Sequence, residues 1–139
     1  MELIRNKESN IPFSLHDSRI TNIEYQEGLL RLKLDKIFQY TEDREVIYSG
    51  EIEFTEIDLD DCDALIFDRT ICGGDFSGKA MKLKKYASQY KNAEFEILTE
   101  GYNGYCIIYS GWIWQHGKEP ISGIINIWNM GDMIYRIDT

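Results

Sequence analysis

Apolar and polar residues alternate along most of the chain, which is the pattern of strands that have one buried and one exposed face. The clearest example is 29–35, where leucines at every second position are separated by charged residues. A similar alternation covers 19–26, and the intervening Glu27-Gly28 is typical of a tight turn, because glycine tolerates positive φ. Residues 19–35 therefore predict a β-hairpin, and the alternation over 46–54 predicts a further strand.

The apolar spacing changes to a helical period between Lys79 and Tyr90. Four apolar side chains there lie three or four positions apart, with lysines around them: Leu83, Tyr86, Ala87 and Tyr90. A strand cannot place residues at this spacing on one face, so the segment predicts one helix. The preceding residues 68–78 contain three glycines and predict a loop.

Strand-like patterns return in the last third of the chain. Asn103-Gly104 is a strong hairpin signal, since both residue types accept the left-handed conformation of a type I′ turn. The run 105–114 after it is apolar on both faces, which predicts a central strand. Residues 122–128 and 133–137 predict one more hairpin. Sequential hairpins of this kind form an antiparallel sheet.

These elements predict a single domain over residues 1–139. The fold class that they predict is mainly β, either an antiparallel β-sandwich or a strongly curved sheet with one helix. The length is typical of one domain, which buries about two-thirds of its unfolded surface. Aromatic residues make up 13% of the chain, and their preference for half-buried pleated surfaces also favours strands.

The chain carries a formal net charge of −9. This sign argues against nucleic acid as a partner, because a phosphate backbone requires a cationic surface. No apolar run approaches the ~18 residues of a membrane span, and residues 1–10 lack the hydrophobic core of a secretion signal. Three cysteines at unhelpful spacings predict small buried hydrophobes in a reducing compartment. We therefore expect a cytoplasmic protein without a nucleic-acid or membrane partner.

One turn-like segment concentrates carboxylates: Asp58, Asp60, Asp61 and Asp63. Several carboxylates on one loop suit Ca²⁺, but Asp63 occupies the position where the helix–loop–helix calcium motif needs glycine, and the closing glutamate is missing. We expect no metal and no cofactor here. The charge is unevenly distributed along the chain, since residues 51–63 are strongly acidic and all the charged residues in 79–91 are lysines. The acidic loop is therefore a candidate surface for a basic partner, the alternative being a merely solvated loop.

The segment Gly73 to Ala80 is similar to a phosphate-binding loop in its spaced glycines and its lysine. Ala80 stands where such a loop needs Ser or Thr to hold magnesium. These loops also belong to parallel sheets with crossover helices, whereas this chain predicts hairpins. We do not expect nucleotide binding.

Trp112 and Trp114 are candidate binding residues on the predicted central strand. They share one face of it with Cys106 and Ile108. A strand that is apolar on both faces is either covered twice or presents one face to a partner. Aromatic side chains are also the anchors that protein interfaces use most.

His16, Asp17 and Ser18 supply the three polar types of a hydrolase triad, but sequence neighbours rarely meet as triads do. A metal-dependent hydrolase around His16 and Asp17 would require His16 in a cleft with a carboxylate or metal within reach. The other interpretation is that both residues cap the first long strand through bonds to turn backbone. We assign no catalytic residue.

The segment Phe13 to Ile20, with the hairpin that follows it, resembles the opening of a group of small uncharacterised bacterial proteins. These begin with a His-Asp-Ser element leading into a hairpin and end in strands with a Gly-Asp turn and aromatics. Gly131-Asp132 with Tyr135 is similar to that ending. Some of these families are classed as candidate immunity proteins, which neutralise a toxin of the same or a neighbouring strain. The resemblance implies a bacterial source and a non-catalytic, immunity-like role.

The function that the sequence favours is a cytoplasmic protein-binding domain that recognises a basic partner through the acidic loop and exposed aromatics. The alternatives are a β protein that binds a small ligand on the concave side of its sheet, and the hydrolase around His16 and Asp17.

Overall fold

The computed structural model describes residues 1–6, 12–70, 72 and 74–139. These residues form ten strands and one α-helix, which in chain order are β1 (Glu2–Ile4), β2 (Arg19–Gln26), β3 (Leu29–Tyr40), β4 (Glu45–Phe54), β5 (Asp63–Phe67), β6 (Gly78–Lys82), α1 (Leu83–Gln89), β7 (Glu94–Asn103), β8 (Cys106–Trp114), β9 (Ile121–Trp128) and β10 (Met133–Ile137). No helix among them is both long and apolar enough to cross a membrane.

The strands form one open antiparallel sheet in the order β1-β10-β4-β3-β2-β7-β8-β9-β5-β6. One cluster of buried side chains draws on strands from both halves of the sheet and on α1. The sheet therefore curves around a single core, and α1 places Leu83 and Tyr86 in it. The predicted antiparallel β fold with one helix is confirmed, in the form of a curved sheet.

The two strongest hairpin predictions are correct. Glu27 and Gly28 have φ of 49° and 82°, the signs that a type I′ turn requires, and they join β2 to β3. In the other hairpin Asn103 pairs with Cys106, so the turn residues are Gly104 and Tyr105. Only Gly104 has positive φ, which is the type II′ pattern, and the predicted type I′ turn is wrong.

The predicted hairpin of 122–128 with 133–137 is wrong. β9 pairs with β8 and β5, whereas β10 pairs with β4 and β1 in the other half of the sheet. The connection is held against the end of β4, because the side chain of Asn129 donates to the Thr55 carbonyl at 2.8 Å. Asp132 N–H donates to the Thr55 hydroxyl at the same distance. Alternation predicts a strand but does not specify its neighbour.

The predicted helix over Lys79 to Tyr90 is only partly correct, because its first four residues belong to strand β6. Met81 is buried between two exposed neighbours and pairs with Ala64 of β5. Helical geometry begins at Leu83, whose N–H donates to the Cys62 carbonyl. The short strand β1 was not predicted, since its three residues are all exposed and show no alternation.

Register shifts in β2, β3 and β7 bend the sheet near its middle. The shift in β7 lies between Ile97 and Thr99, beside Gly111 of β8. A Cβ atom on Gly111 would stand 1.8 Å from the Glu96 carbonyl oxygen. Glycine is therefore required at 111 because the β7 backbone approaches too closely for any side chain.

We predict that Gly111→Ala lowers the free energy of unfolding by about 1–3 kcal/mol or more, since the clash is with backbone that cannot rotate away. The matched control is Gly101→Ala in the same hairpin, where the nearest atoms to an added Cβ lie at 4.0 Å. The control variant should be neutral or slightly stabilising. Urea unfolding of both variants measures the difference, and equal stabilities would contradict the role of Gly111.

Candidate functional site

The acidic loop, residues 56–63, crosses one end of the curved sheet between β4 and β5. It is fixed at the β2–β3 turn, where Ile57 N–H donates to the Gly28 carbonyl at 2.9 Å. The Tyr25 hydroxyl donates to the Ile57 carbonyl at 3.0 Å. The adjoining Thr55 is fixed at the other side by the bonds to Asn129 and Asp132. The loop is thus a tethered part of the fold.

Three of the four predicted aspartates are exposed and make no ion pair with a described residue. Asp58 caps the 3₁₀ helix Leu59–Asp61 by accepting a hydrogen bond from Asp60 N–H at 3.0 Å. Asp63 differs, because it is half-buried and pairs with Lys82 at 3.3 Å. The Lys82 ammonium also donates to the Asp60 carbonyl at 2.6 Å. Asp58, Asp60 and Asp61 are therefore free to meet a partner, whereas Asp63 is engaged by Lys82.

The buried thiol of Cys62 shows how closely these carboxylates are grouped. Burial raises the pKa of Cys62, a backbone hydrogen bond from Trp128 opposes the rise, and the charges of Asp61, Asp63 and Asp58 add to it. The loop thus meets the end of β9 at Trp128. Within the described ranges, no three His, Cys, Asp or Glu side chains are arranged to hold a metal ion.

A cluster of exposed apolar residues lies beside the loop, on the outer face of β8 and β9 and in the segments that precede β8 and follow β9. Its members, called here the aromatic patch, are between 41% and 51% exposed: Tyr105, Ile108, Trp128 and Met130. The Tyr105 and Trp128 rings lie 5.8 Å apart, and the Trp128 indole N–H donates to the Met130 sulfur. Contiguous exposed apolar surface of this kind is typical of an interaction site.

Strand register joins the aromatic patch to the acidic loop. Asn126 of β9 lies opposite Ile108 on one side and opposite Asp63 on the other. Cys106, the first residue of β8, lies opposite Trp128. The patch therefore adjoins the acidic loop at Cys62 and Asp63, and the loop and the patch together are called here the acidic end.

The carboxylates on the outer face of β2 and β4 are neutralised within the fold. Arg31 contacts Glu24, Glu51 and Glu53 at 3.1–3.3 Å, and Arg136 contacts Glu53 at 2.8 Å. Burial by itself would raise the pKa of Glu53, but its hydrogen bonds and ion pairs with Arg136 and Arg31 outweigh it and hold that pKa below its usual value. In the acidic loop, by contrast, Asp58, Asp60 and Asp61 form no ion pair with a described residue.

The predicted binding residues Trp112 and Trp114 lie near the opposite end of β8 from Cys106. Both are half-buried, and Trp114 is engaged within the fold. Its indole N–H donates to Glu96 at 2.9 Å, and the Arg19 guanidinium lies 4.7 Å above its ring. Trp112 packs against Trp114 at 5.9 Å. The structure does not bring this pair to the acidic loop.

His16 and Asp17 lie in an exposed turn before β2. The His16 Nδ1 atom lies 2.6 Å from the Leu98 carbonyl, so it carries the proton, and Nε2 lies 3.5 Å from Asp17. Asp17 adopts a left-handed φ of 67°, and its N–H donates to the Ile97 carbonyl. Ser18 is fully buried and makes no hydrogen bond with His16. This geometry matches a turn that caps β2.

The glycine-rich motif does not form a phosphate loop in its described part. Gly73 lies outside the described residues. Gly78 to Ala80 belong to strand β6, which pairs antiparallel with β5. A strand–loop–helix arrangement, which would aim backbone N–H groups at a phosphate, is therefore not formed by this segment.

A partly buried polar cluster beside the core was not predicted from the sequence. Glu100 accepts hydrogen bonds from the Tyr102 hydroxyl at 2.6 Å and from Leu15 N–H at 2.7 Å. The Arg5 guanidinium lies 4.9 Å from the Tyr102 ring, and the Tyr102 and Tyr109 hydroxyls lie 3.3 Å apart. Burial raises the pKa of Glu100. The cluster ties the N-terminal segment to β7, which gives it a structural role.

Comparison of the chain with protein-family models, with curated proteins and with solved structures gave no match. A functional proposal therefore depends on the site. Its two distinctive features are the unpaired carboxylates of the acidic loop and the exposed aromatic patch beside them.

We predict that Tyr102→Phe lowers the free energy of unfolding by about 1–3 kcal/mol, because it leaves a partly buried Glu100 oxygen without its donor. The matched control is Tyr135→Phe, since the fully buried Tyr135 hydroxyl has no hydrogen-bond partner among the described residues. Its removal should cost little or nothing. Thermal or urea unfolding measures both, and a Tyr135→Phe cost as large as that of Tyr102→Phe would refute the assignment.

Proposed function

We propose that this protein is a protein-binding domain that recognises a basic partner through its acidic end. The observation that carries the proposal is that the exposed aromatic patch adjoins the acidic loop, in which Asp58, Asp60 and Asp61 are exposed and form no ion pair with a described residue. Aromatic anchors supply most of the energy of protein interfaces, and surrounding charges supply specificity and association rate. The two kinds of group needed for such an interface occur together here.

The overall charge of −9 also favours a basic partner. A negative protein attracts a basic partner over about one Debye length, which is ~10 Å at 0.1 M salt. The orienting contribution should come from Asp58, Asp60 and Asp61, because the outer-face carboxylates are already paired with arginines. The proposal therefore includes a binding affinity that falls with added salt.

An immunity-like role is one form of this proposal, in which the basic partner is a toxin that the domain neutralises. It is supported by the resemblance of the His16-Asp17-Ser18 opening to small bacterial proteins. The three cysteines form no disulfide, which fits a cytoplasmic site of action. We do not extend the proposal to a hydrolase, because Ser18 is buried and His16 Nδ1 is bonded to backbone.

We predict that replacing Asp58, Asp60 and Asp61 with asparagine weakens partner binding at least about tenfold and leaves stability nearly unchanged. Stability should survive because asparagine caps a helix as well as aspartate does. The partner is first captured from a lysate of the source cells at low and moderate salt and identified by mass spectrometry. Its affinity for each variant is then measured with the purified partner.

The matched control neutralises three other exposed carboxylates at the β3–β4 turn: Glu42, Asp43 and Glu45. It changes the net charge by the same amount at a different place, so it separates a local contact from the overall field. The control variant should bind nearly as well as the wild type. Undiminished capture by the Asp58/Asp60/Asp61 variant would show that the acidic loop is not the site.

We predict that Trp128→Ala weakens the same complex by about 2 kcal/mol or more, as expected for a central aromatic anchor. The comparison variant is Trp112→Ala, whose side chain packs against Trp114 and not against the aromatic patch. It should lower stability and leave affinity unchanged. The opposite result, with affinity lost only in Trp112→Ala, would move the interface to the other end of β8.

A further inference from the structure

Strand β2 separates from β7 soon after it begins. The two strands pair only at Arg19 with Glu96 and at Ile20 with Phe95. Beyond Ile20, β2 continues to Gln26 with β3 on one side only. The sheet therefore contains a free edge in its interior, in addition to the edges of its two terminal strands.

The hydrogen bonding of the β2–β3 hairpin identifies which backbone groups face this edge. In a two-residue hairpin the residues flanking the turn form a hydrogen-bonded pair, here Gln26 with Leu29, and the next such pair is Glu24 with Arg31. The N–H and C=O groups of Ile23 and Tyr25 consequently point away from β3. Apart from the pairing of β2 with β3, no backbone hydrogen bond joins Ile23 or Tyr25 to a described residue. Such groups are a template for an added strand.

Helix α1 lies alongside this edge and leaves a groove between itself and β2. The groove consists of a hollow of about 180 Å³ and a smaller one of about 20 Å³, which share Ile23 and Ala87. The larger hollow is lined mainly by apolar residues: Ile23, Tyr25, Leu30, Leu59, Leu83 and Ala87. It is smaller than the roughly 300–1,000 Å³ of small-molecule sites. Its size suits one or two aliphatic side chains of a protein chain.

Two lysines border the groove, one at each hollow. Lys84 lines the larger hollow and Lys91 the smaller one. Both are exposed, and neither forms an ion pair with any residue that the structure describes. On the facing strand, the carboxylate of Glu24 is paired with Arg31. The α1 side of the groove is therefore positively charged in a protein of net negative charge.

We propose that this groove binds an extended, acidic segment of another protein, which adds to the free edge of β2 as a strand. The segment would bond to the backbone of Ile23 and Tyr25, place an aliphatic side chain in the larger hollow and meet Lys84 and Lys91 with carboxylates. Strand addition between a sheet edge and a helix is an established mode of peptide recognition. The larger hollow adjoins the acidic loop at Leu59, but neither hollow is lined by an aspartate of the loop or by a residue of the aromatic patch, so each site is tested by its own variants.

The test selects random displayed peptides, long enough to pair along the whole free edge, on the wild-type protein. Binding of synthesised winners is then measured by titration and by amide hydrogen exchange. We expect acidic peptides with alternating aliphatic residues, and slower exchange at the Ile23 and Tyr25 amides on binding. Charge reversal of Lys84 and Lys91 to glutamate should weaken the binding of these peptides at least about tenfold.

Two further variants show whether the peptides occupy the groove itself. Ala87→Leu fills the larger hollow without harming the helix, since leucine is a good helix former, and it should abolish binding. Charge reversal of the exposed Lys79 and Lys85 is the matched control, because Lys85 lines neither hollow and Lys79 lies on β6. It should leave binding within about threefold. Failure to select peptides that distinguish wild type from Ala87→Leu would overturn the proposal. Selected peptides that are basic, or peptides that slow hydrogen exchange only at the amides of β6, would also overturn it.

Discussion

The structure depends on bending one open sheet far enough for it to enclose a single core. Register shifts in β2, β3 and β7 produce the bend, and they lie in neighbouring strands. The bend is locked by contacts that only particular residues permit. Gly111 lets the Glu96 carbonyl approach, and Asp35 accepts a hydrogen bond from Arg19 N–H at 2.7 Å beside the bulge of β3. Without the bend, the two halves of the core would face water separately.

Both candidate binding surfaces are consequences of this bend. β4 and β5 lie six positions apart in the strand order, and the curvature of the sheet brings them close enough for the short connection that carries the acidic loop. The same curvature separates β2 from β7 after Ile20, which leaves the backbone of Ile23 and Tyr25 unpaired beside α1.

Local patterns in the sequence predict local structure well here, and contacts between distant segments explain the failures. The hairpin over 19–35 follows from alternation and from a turn dipeptide with the right φ preferences. The pairing of β10 with β4 depends on Asn129 and Thr55, 74 residues apart, which no local pattern reveals. Alternation placed Trp112 and Ile108 on one strand face. It could not show that the end of β8 with Trp114 is occupied by Arg19 and Glu96, whereas Ile108 is exposed.

The register shift in β7 also explains why the sequence does not predict the Glu100 cluster. Phe95 and Ile97 alternate as inward residues, but after the shift the inward positions change parity, so Glu100 and Tyr102 point to the core. A bulge that reverses the inside and outside of a strand leaves almost no trace in the hydrophobic pattern.

Contacts between distant segments also favour rigid binding surfaces. The acidic loop is tied to Gly28 and its neighbour Thr55 to Asn129, and β2 is held along β3. A partner would therefore meet surfaces already ordered, at a small cost in conformational entropy.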